Sequence, residues 1–308
     1  MTVRSRLESQ MIKAGIRYWG ELVYRSGTAG ILAGRAARGT FRDLWDAEVS
    51  VFSQWGEDGI LDFLCEALHL ARPNVVEFGV GNFLECNSRF LAEYRNARVM
   101  AVDAQDDLTS TLRRLPILWR TTIEVRQEWI TPDTAPRLLA EAKKMFGGVD
   151  IMSLDIDGND YWVAERLDLS GVTIIVVEYN PIFGAARAVT VPRNDSFSRG
   201  REHFSNLYYG ASLSAFISLL AERGFSFVGT NRVGNNAFFI PTARRAEVLL
   251  PDPASDLARY TDWRVRESRD ESGMLTYLSG PERLRLIGDL PLVDTINGSQ
   301  LTVALAAG

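Results

Sequence analysis

Along the middle of the chain, short apolar runs alternate with longer stretches in which apolar residues recur every three or four positions. The runs are Val75–Phe78, Ala97–Val102, Thr121–Val125, Val149–Leu154 and Val172–Val177. They are rich in β-branched residues and too short for helices, which is the pattern of buried strands. Between them, Ile60, Phe63, Leu64, Ala67 and Leu68 mark one helix face, Phe90, Leu91 and Tyr94 a second, and Leu138, Leu139, Ala142 and Phe146 a third. Ser53 reads as the N-cap of the first of these helices, and Gly147-Gly148 as the stop of the third. A fourth helix carries Leu213, Phe216, Ile217 and Leu220, and then Phe225–Gly229 and Asn236–Ile240 read as a closing antiparallel pair. Such alternation predicts an α/β sheet, mostly parallel, with right-handed crossovers and helices on both faces.

This pattern occupies residues 49–240. Residues 1–48 read as an amphipathic helical extension, with Met11, Ile12, Ile16, Trp19 and Leu22 near one face, and residues 241–308 as a less regular tail or cap. The chain has 308 residues and a net charge of −5, which gives no sign of a nucleic-acid partner. The charge is uneven. Residues 1–42 hold eight basic residues against Glu8 and Glu21, a net of +6. Such an arm suits an acidic protein surface, a second copy of the chain, an anionic membrane or an anionic polymer. Cys65 and Cys86 both lie by apolar helical patterns, so buried thiols are expected rather than a disulfide. No apolar run approaches the roughly 18 residues of a membrane-spanning helix, and no secretory leader follows the first charges, so a cytoplasmic location is expected.

The candidate chemistry lies at the C-terminal ends of the strands, where open α/β sheets bind ligands. The first strand runs into Glu77-Phe78-Gly79-Val80-Gly81 and a helix, a turn in which backbone can approach a ligand closely. Asp103 ends the second strand, where a carboxylate can accept two ribose hydroxyls. Gln127, Glu128 and Trp129 follow the third strand and could border an adenine, with plain core as the alternative for Trp129. Asp155-Ile156-Asp157-Gly158-Asn159-Asp160 follows the fourth strand and Glu178-Tyr179-Asn180 the fifth. Crowded carboxylates repel unless a cation or hydrogen bonds offset them, and hard oxygen donors suit Mg²⁺, Ca²⁺ or Mn²⁺. The competing reading is a polar loop in which Asp157 and Asn159 cap the next helix. His203 lies in the polar loop 193–207 and is a candidate base, whereas His69 ends an amphipathic helix and reads as structural. Tyr208 to Ser212, with Asn231, Asn235 and Asn236, either line the pocket or set turn geometry.

Taken in order, Glu77-Phe78-Gly79-Val80-Gly81, Val102-Asp103, Ser153 to Gly158 and Val177 to Asn180 resemble a class I S-adenosylmethionine-dependent methyltransferase. With Ser53 to Leu61 ahead of the first strand, the resemblance is to the FkbM-like group, over about residues 50–240. It implies a Rossmann-like seven-stranded sheet with its last strand antiparallel. It implies that the Glu77–Gly81 loop holds the methionine part of the cofactor and Asp103 its ribose. It also implies that Asp155, Asp157, Glu178 and Asn180 stand where metal-dependent sugar and catechol O-methyltransferases hold a divalent cation, Mg²⁺ or Mn²⁺. There the acceptor is a small molecule or glycan hydroxyl. The sequence departs from the catechol type in having Tyr179 between Glu178 and Asn180. A dinucleotide-dependent oxidoreductase is disfavoured because Leu84 stands where G-x-G-x-x-G needs its third glycine. A cofactor-binding scaffold without turnover is the other alternative.

Overall fold

Seven strands make the main sheet of the computed structural model, which describes residues 26–31, 34, 41–115, 117–262, 264 and 267–307. The expected amphipathic helix over Met11 to Leu22 lies outside the described residues.

The strands are β1 (Asn74–Phe78), β2 (Arg98–Asp103), β3 (Ile123–Gln127), β4 (Ile151–Leu154), β5 (Ile174–Glu178), β7 (Phe225–Thr230) and β8 (Asn236–Pro241); β6 (Val189–Thr190) lies between β5 and β7 in sequence but outside this sheet. Their spatial order is β3-β2-β1-β4-β5-β8-β7. The first five run parallel, and β8 is antiparallel to both β5 and β7. This is the expected Rossmann-like sheet with one reversed strand near its edge. The order turns back between β1 and β4, which opens a crevice at their C-terminal ends.

Helices cover both faces. On one side α1 (Glu57–Ala67), α2 (Asn87–Arg95) and α3 (Leu108–Leu112) bury Leu61, Leu64, Leu91 and Leu108 against Val75, Val99 and Val176. On the other, α4 (Ala135–Phe146), α5 (Asp160–Arg166) and, after the short α6 (Arg199–Glu202), α7 (Leu213–Glu222) bury Leu138, Ala142, Val163 and Phe216 against Val76, Met152 and Val177. Side chains alternate sides along a strand, so β1 sends Val75 to one layer and Val76 to the other.

Three expected strand starts move inward by about two residues. β3 begins at Ile123, β4 at Ile151 and β5 at Ile174. Val149 and Val172 are buried, but they lead into the ladder rather than join it. Hydrophobicity reports burial, and pairing begins only where the neighbour's backbone is in register. Gly56, not Ser53, is the N-cap of α1, although the Ser53 hydroxyl accepts the Asp58 N–H at 3.0 Å. Cys65 and Cys86 are buried free thiols, as expected.

The tail is more ordered than its sequence suggests. It supplies α8 (Pro281–Ile287), β9 (Pro291–Asp294), β10 (Gln300–Thr302) and α9 (Val303–Ala307). β9 pairs with both β10 and β6, so tail and post-β5 insertion share one small sheet. Phe183, Leu207 and Tyr209 from the insertion pack with Ile287, Leu292 and Val303 from the tail. This cap stands at the C-terminal end of β5.

Candidate active site

The crevice is closest at Gly79. Its φ is +87°, and a Cβ there would lie 1.5 Å from the Asp155 carbonyl oxygen, so only glycine lets the β1 and β4 tips meet. Two residues on, the Gly81 N–H donates to Asp103 Oδ2 at 2.7 Å, and Gln105 N–H donates to Oδ1 at 2.9 Å. The carboxylate is thereby fixed beside the glycine loop. Burial pushes its pKa upward, and Asp157 across the crevice adds to the effect against the pull of the backbone donors.

Across the switch point, oxygens of Asp155, Asp157 and Glu178 all lie within 4.8 Å of one another. Glu178 is buried and its Oε2 makes no hydrogen bond. Burial and the neighbouring carboxylates raise the pKa of both Asp155 and Glu178 well above the ordinary range. The donor set is hard oxygen, three carboxylates face a single guanidinium and one lone-pair-bearing atom is orphaned, so these residues fit a divalent cation. Asn180 does not join them. Its amide donates to the Leu207 and Tyr209 carbonyls and its oxygen accepts the Ile182 N–H, so it ties the cap to β5. Tyr179 points elsewhere, with its hydroxyl on the Tyr260 carbonyl.

Arg199, from α6 in the cap, supplies the nearest positive charge. Its Nη1 donates to Asp157 Oδ1 at 2.7 Å, its Nε to the Asn206 carbonyl at 2.7 Å, and its guanidinium lies 3.9 Å over the Tyr209 ring. Sequence reasoning passed over Arg199. Nothing local distinguishes it from Arg193 or Arg201 in the same basic loop.

The 155–160 loop is tied by Asp160, one of the crowded carboxylates of that stretch. Its two carboxylate oxygens accept the N–H groups of Ile156 and Gly158, each at 2.8 Å, and burial raises its pKa to about 6. This corrects the capping alternative for Asp157 and Asn159. Asn159 is the N-cap residue of α5 but makes no side-chain cap bond, and instead exchanges bonds with the Asn194 backbone. Asp157 is thus left exposed, at φ +58°.

The remaining candidates fall outside the cluster. The Glu77 carboxylate accepts the Asn87 and Ser88 N–H groups at 2.8 Å each, capping α2 rather than facing the crevice. Gln127 donates to Asp106, and Glu128 pairs with Arg137 while its N–H meets the Asp103 carbonyl. Trp129 is not core: it is half exposed and its indole N–H reaches the Asp195 carbonyl in the cap. The His203 ring bonds Ser205 at 2.7 Å and packs on Phe204, and burial lowers its pKa. These contacts all lie within its own loop. His69 is exposed, at φ +54° at the end of α1. Asn231 sets turn geometry, accepting N–H groups of Gly234, Asn235 and Asn236. A cavity of about 570 Å³, lined in part by Leu167, Gly171, Arg223 and Pro241, lies at the opposite end of β5 and β7 and has no part in this site.

No protein-family model and no curated protein matches the chain. Among solved structures it is similar to human N-acetylserotonin methyltransferase in complex with SAM, at 12% identity and TM-score 0.34, over 58% of this chain and 50% of that one. It is similar to TehB from Haemophilus influenzae at 12% identity and TM-score 0.34, over 58% and 61%. It is also similar to cofactor-bound Rv0187 from MTB at 18% identity and TM-score 0.36, over 70% and 89%. The chain thus spans only half to three-fifths of the first two. The fold assignment rests on the strand order itself. Among the described residues, no helix is long and apolar enough to cross a membrane.

Proposed function

We propose that the protein is an S-adenosylmethionine-dependent O-methyltransferase acting on a hydroxyl of a sugar, glycan or secondary metabolite, with help from a divalent cation. The observation that carries this reading is the facing of two groups across the β1/β4 crevice. Asp103 is locked to the Gly81 N–H on one side, and the Asp155–Asp157–Glu178 cluster stands on the other. The reversed β8 between β5 and β7 supports it, because the methyltransferase resemblance implies a sheet with its last strand antiparallel.

In this reading Asp103 accepts the ribose hydroxyls, and the Glu77–Gly81 loop, open at Gly81, admits the methionine part. The bound cofactor and cation supply an electrophilic methyl group and an anchor that acidifies the acceptor hydroxyl. The chain's own residues align acceptor oxygen, methyl and sulfur in line, which is most of what a sulfonium transfer needs. A carboxylate of the cluster would accept the proton that the acceptor hydroxyl gives up on methylation. Arg199 offsets one negative charge there. Asp155, Asp157 and Glu178 would ligate the cation through their carboxylate oxygens.

Calorimetry with S-adenosylmethionine, with NAD as control, followed by methyl transfer from labelled cofactor to a panel of sugars and glycans with and without EDTA, tests the proposal. Binding of NAD alone would overturn it, and EDTA-insensitive transfer would remove the cation. A cofactor-binding protein without turnover is the second reading, favoured by the seclusion of His203 in its own loop. It predicts cofactor binding with no methyl release.

A further inference from the structure

The opposite end of the sheet carries charge of the other sign. β1, β2, β3 and β4 start level with one another, in the pairs Asn74–Arg98, Val99–Ile123 and Val75–Ile151. The segments that feed them, residues 69–73, 96–97, 113–122 and the last turn of α4 with its connection, 144–150, therefore share one rim. They contain Arg72, Arg113, Arg114, Arg120 and Lys144, and a single carboxylate, Asp150, which is spent on the Asn74 N–H at 2.7 Å. Arg72, Arg113, Arg114 and Lys144 are exposed, and among the described residues none of the five basic side chains pairs with a carboxylate. Elsewhere arginines such as Arg95, Arg126 and Arg193 do pair with carboxylates, Asp62, Glu141 and Asp195. What sets this rim apart is its balance, five cations against one engaged carboxylate, in a chain whose net charge is −5.

Apolar side chains project from the same segments. Trp119 is 84% exposed, Leu118 41% and Met145 40%. Single exposed apolar residues are ordinary, but a bare tryptophan and leucine set between Arg114 and Arg120 are not. Water is a poor environment for the indole, whereas the headgroup layer of a bilayer takes its ring and its N–H together. Cations beside it gain from an anionic surface.

We infer that this rim docks on an anionic phospholipid surface, with Trp119 and Leu118 entering the headgroup layer and Arg113, Arg114, Arg120, Arg72 and Lys144 meeting the phosphates. The crevice at Asp103 and Glu178 lies at the other end of the strands, so docking leaves its mouth facing the water phase. The contact is peripheral and reversible, and it is separate from the basic arm of residues 1–42.

The test is co-sedimentation of the full chain with vesicles of phosphatidylcholine alone or with about a third phosphatidylglycerol, at low and high salt, with S-adenosylmethionine affinity measured in parallel. Expected are binding to the anionic vesicles only, weakened by salt, a drop of about 30-fold in Arg113→Gln/Arg114→Gln and a drop of about 10-fold in Trp119→Ala, with cofactor affinity unchanged. Failure of the parent chain to bind would overturn the inference. So would vesicle binding equal in the parent and in both variants, which would assign it to the arm, or binding lost to the variants but directed at single-stranded nucleic acid instead of vesicles. None of these outcomes bears on the methyl-transfer reading, which stands or falls on cofactor binding at the other rim.

Discussion

Two groups of buried acids in this protein look alike in sequence and differ in what surrounds them. Glu57 and Asp58 open α1. Asp58 Oδ2 accepts the N–H groups of Val51, Phe52 and Ser53 at 2.6–2.8 Å, and Glu57 accepts the Asn231 and Asn236 amides and the Trp55 N–H. Asp155 and Glu178 have each other, Asp157 and one shared guanidinium, and Glu178 Oε2 has nothing. The first pair stitches together the segment before the sheet. The second is held in an arrangement that costs stability and is useful only when something else enters. Asp58 Oδ1 also lacks a partner, so one orphaned oxygen does not separate the two groups; the backbone donors on Asp58 Oδ2, which Glu178 has no counterpart for, do.

The contrast can be broken by mutation. Asp58→Ala strips three N–H groups of their acceptor and is expected to lose about 3–5 kcal/mol of stability, seen as a lower midpoint in denaturant; a shift under 1 kcal/mol would make the two clusters equivalent. At the other rim, Asp103→Ala should lower cofactor affinity about 100-fold by calorimetry while the thermal midpoint moves little, since two charge-assisted hydrogen bonds are lost. Unchanged affinity would remove the ribose role. Glu178→Gln removes one of three crowded charges and should stabilise the cation-free protein by about 1–2 kcal/mol, with loss of any Mn²⁺ binding. Destabilisation would mean that Glu178 is structurally satisfied after all.

Smaller effects sharpen the picture. Burial raises the pKa of Asp58 to about 7 and of Asp160 to about 6, so the folded state holds protons that the unfolded chain releases near pH 4. The associated stability is fully present below about pH 4 and is lost as pH rises to about 6 and then 7. Calorimetric scans should show the midpoint falling over this range, with the part up to about pH 6 flattened in Asp160→Asn. Last, removal of residues 1–25 should leave cofactor affinity within about twofold by calorimetry, since the site is assembled from Gly79 to Tyr209.

Much of the sheet was legible because its signals are local. Val75–Phe78 announces a buried strand, and Asp103 and Glu178 stand at strand ends by counting alone. The convergence of Asp155, Asp157 and Glu178 follows from β4 and β5 being neighbours, which the alternation of strands and helices implies. Side-chain direction was not legible. Glu77 sits in the glycine motif yet turns to the α2 N-terminus, and Asn180 turns into the cap, because each finds backbone partners that only the tertiary structure brings near. Arg199 was hidden for the same reason. Its role depends on a cap joined from two distant segments, and no periodicity spans them.

That joint has a consequence for how the protein is made. β6 is two residues long and finds its partner in β9, about 100 residues later. The seven main strands are all synthesised by Pro241, so the sheet can form while the remainder is still within or leaving the ribosome. The roof over Asp157, with Tyr209 and Arg199 in place, waits for residues 291–307. A nascent chain would therefore hold an open acidic groove before residues 291–307 pack against the segment that carries Arg199 and Tyr209.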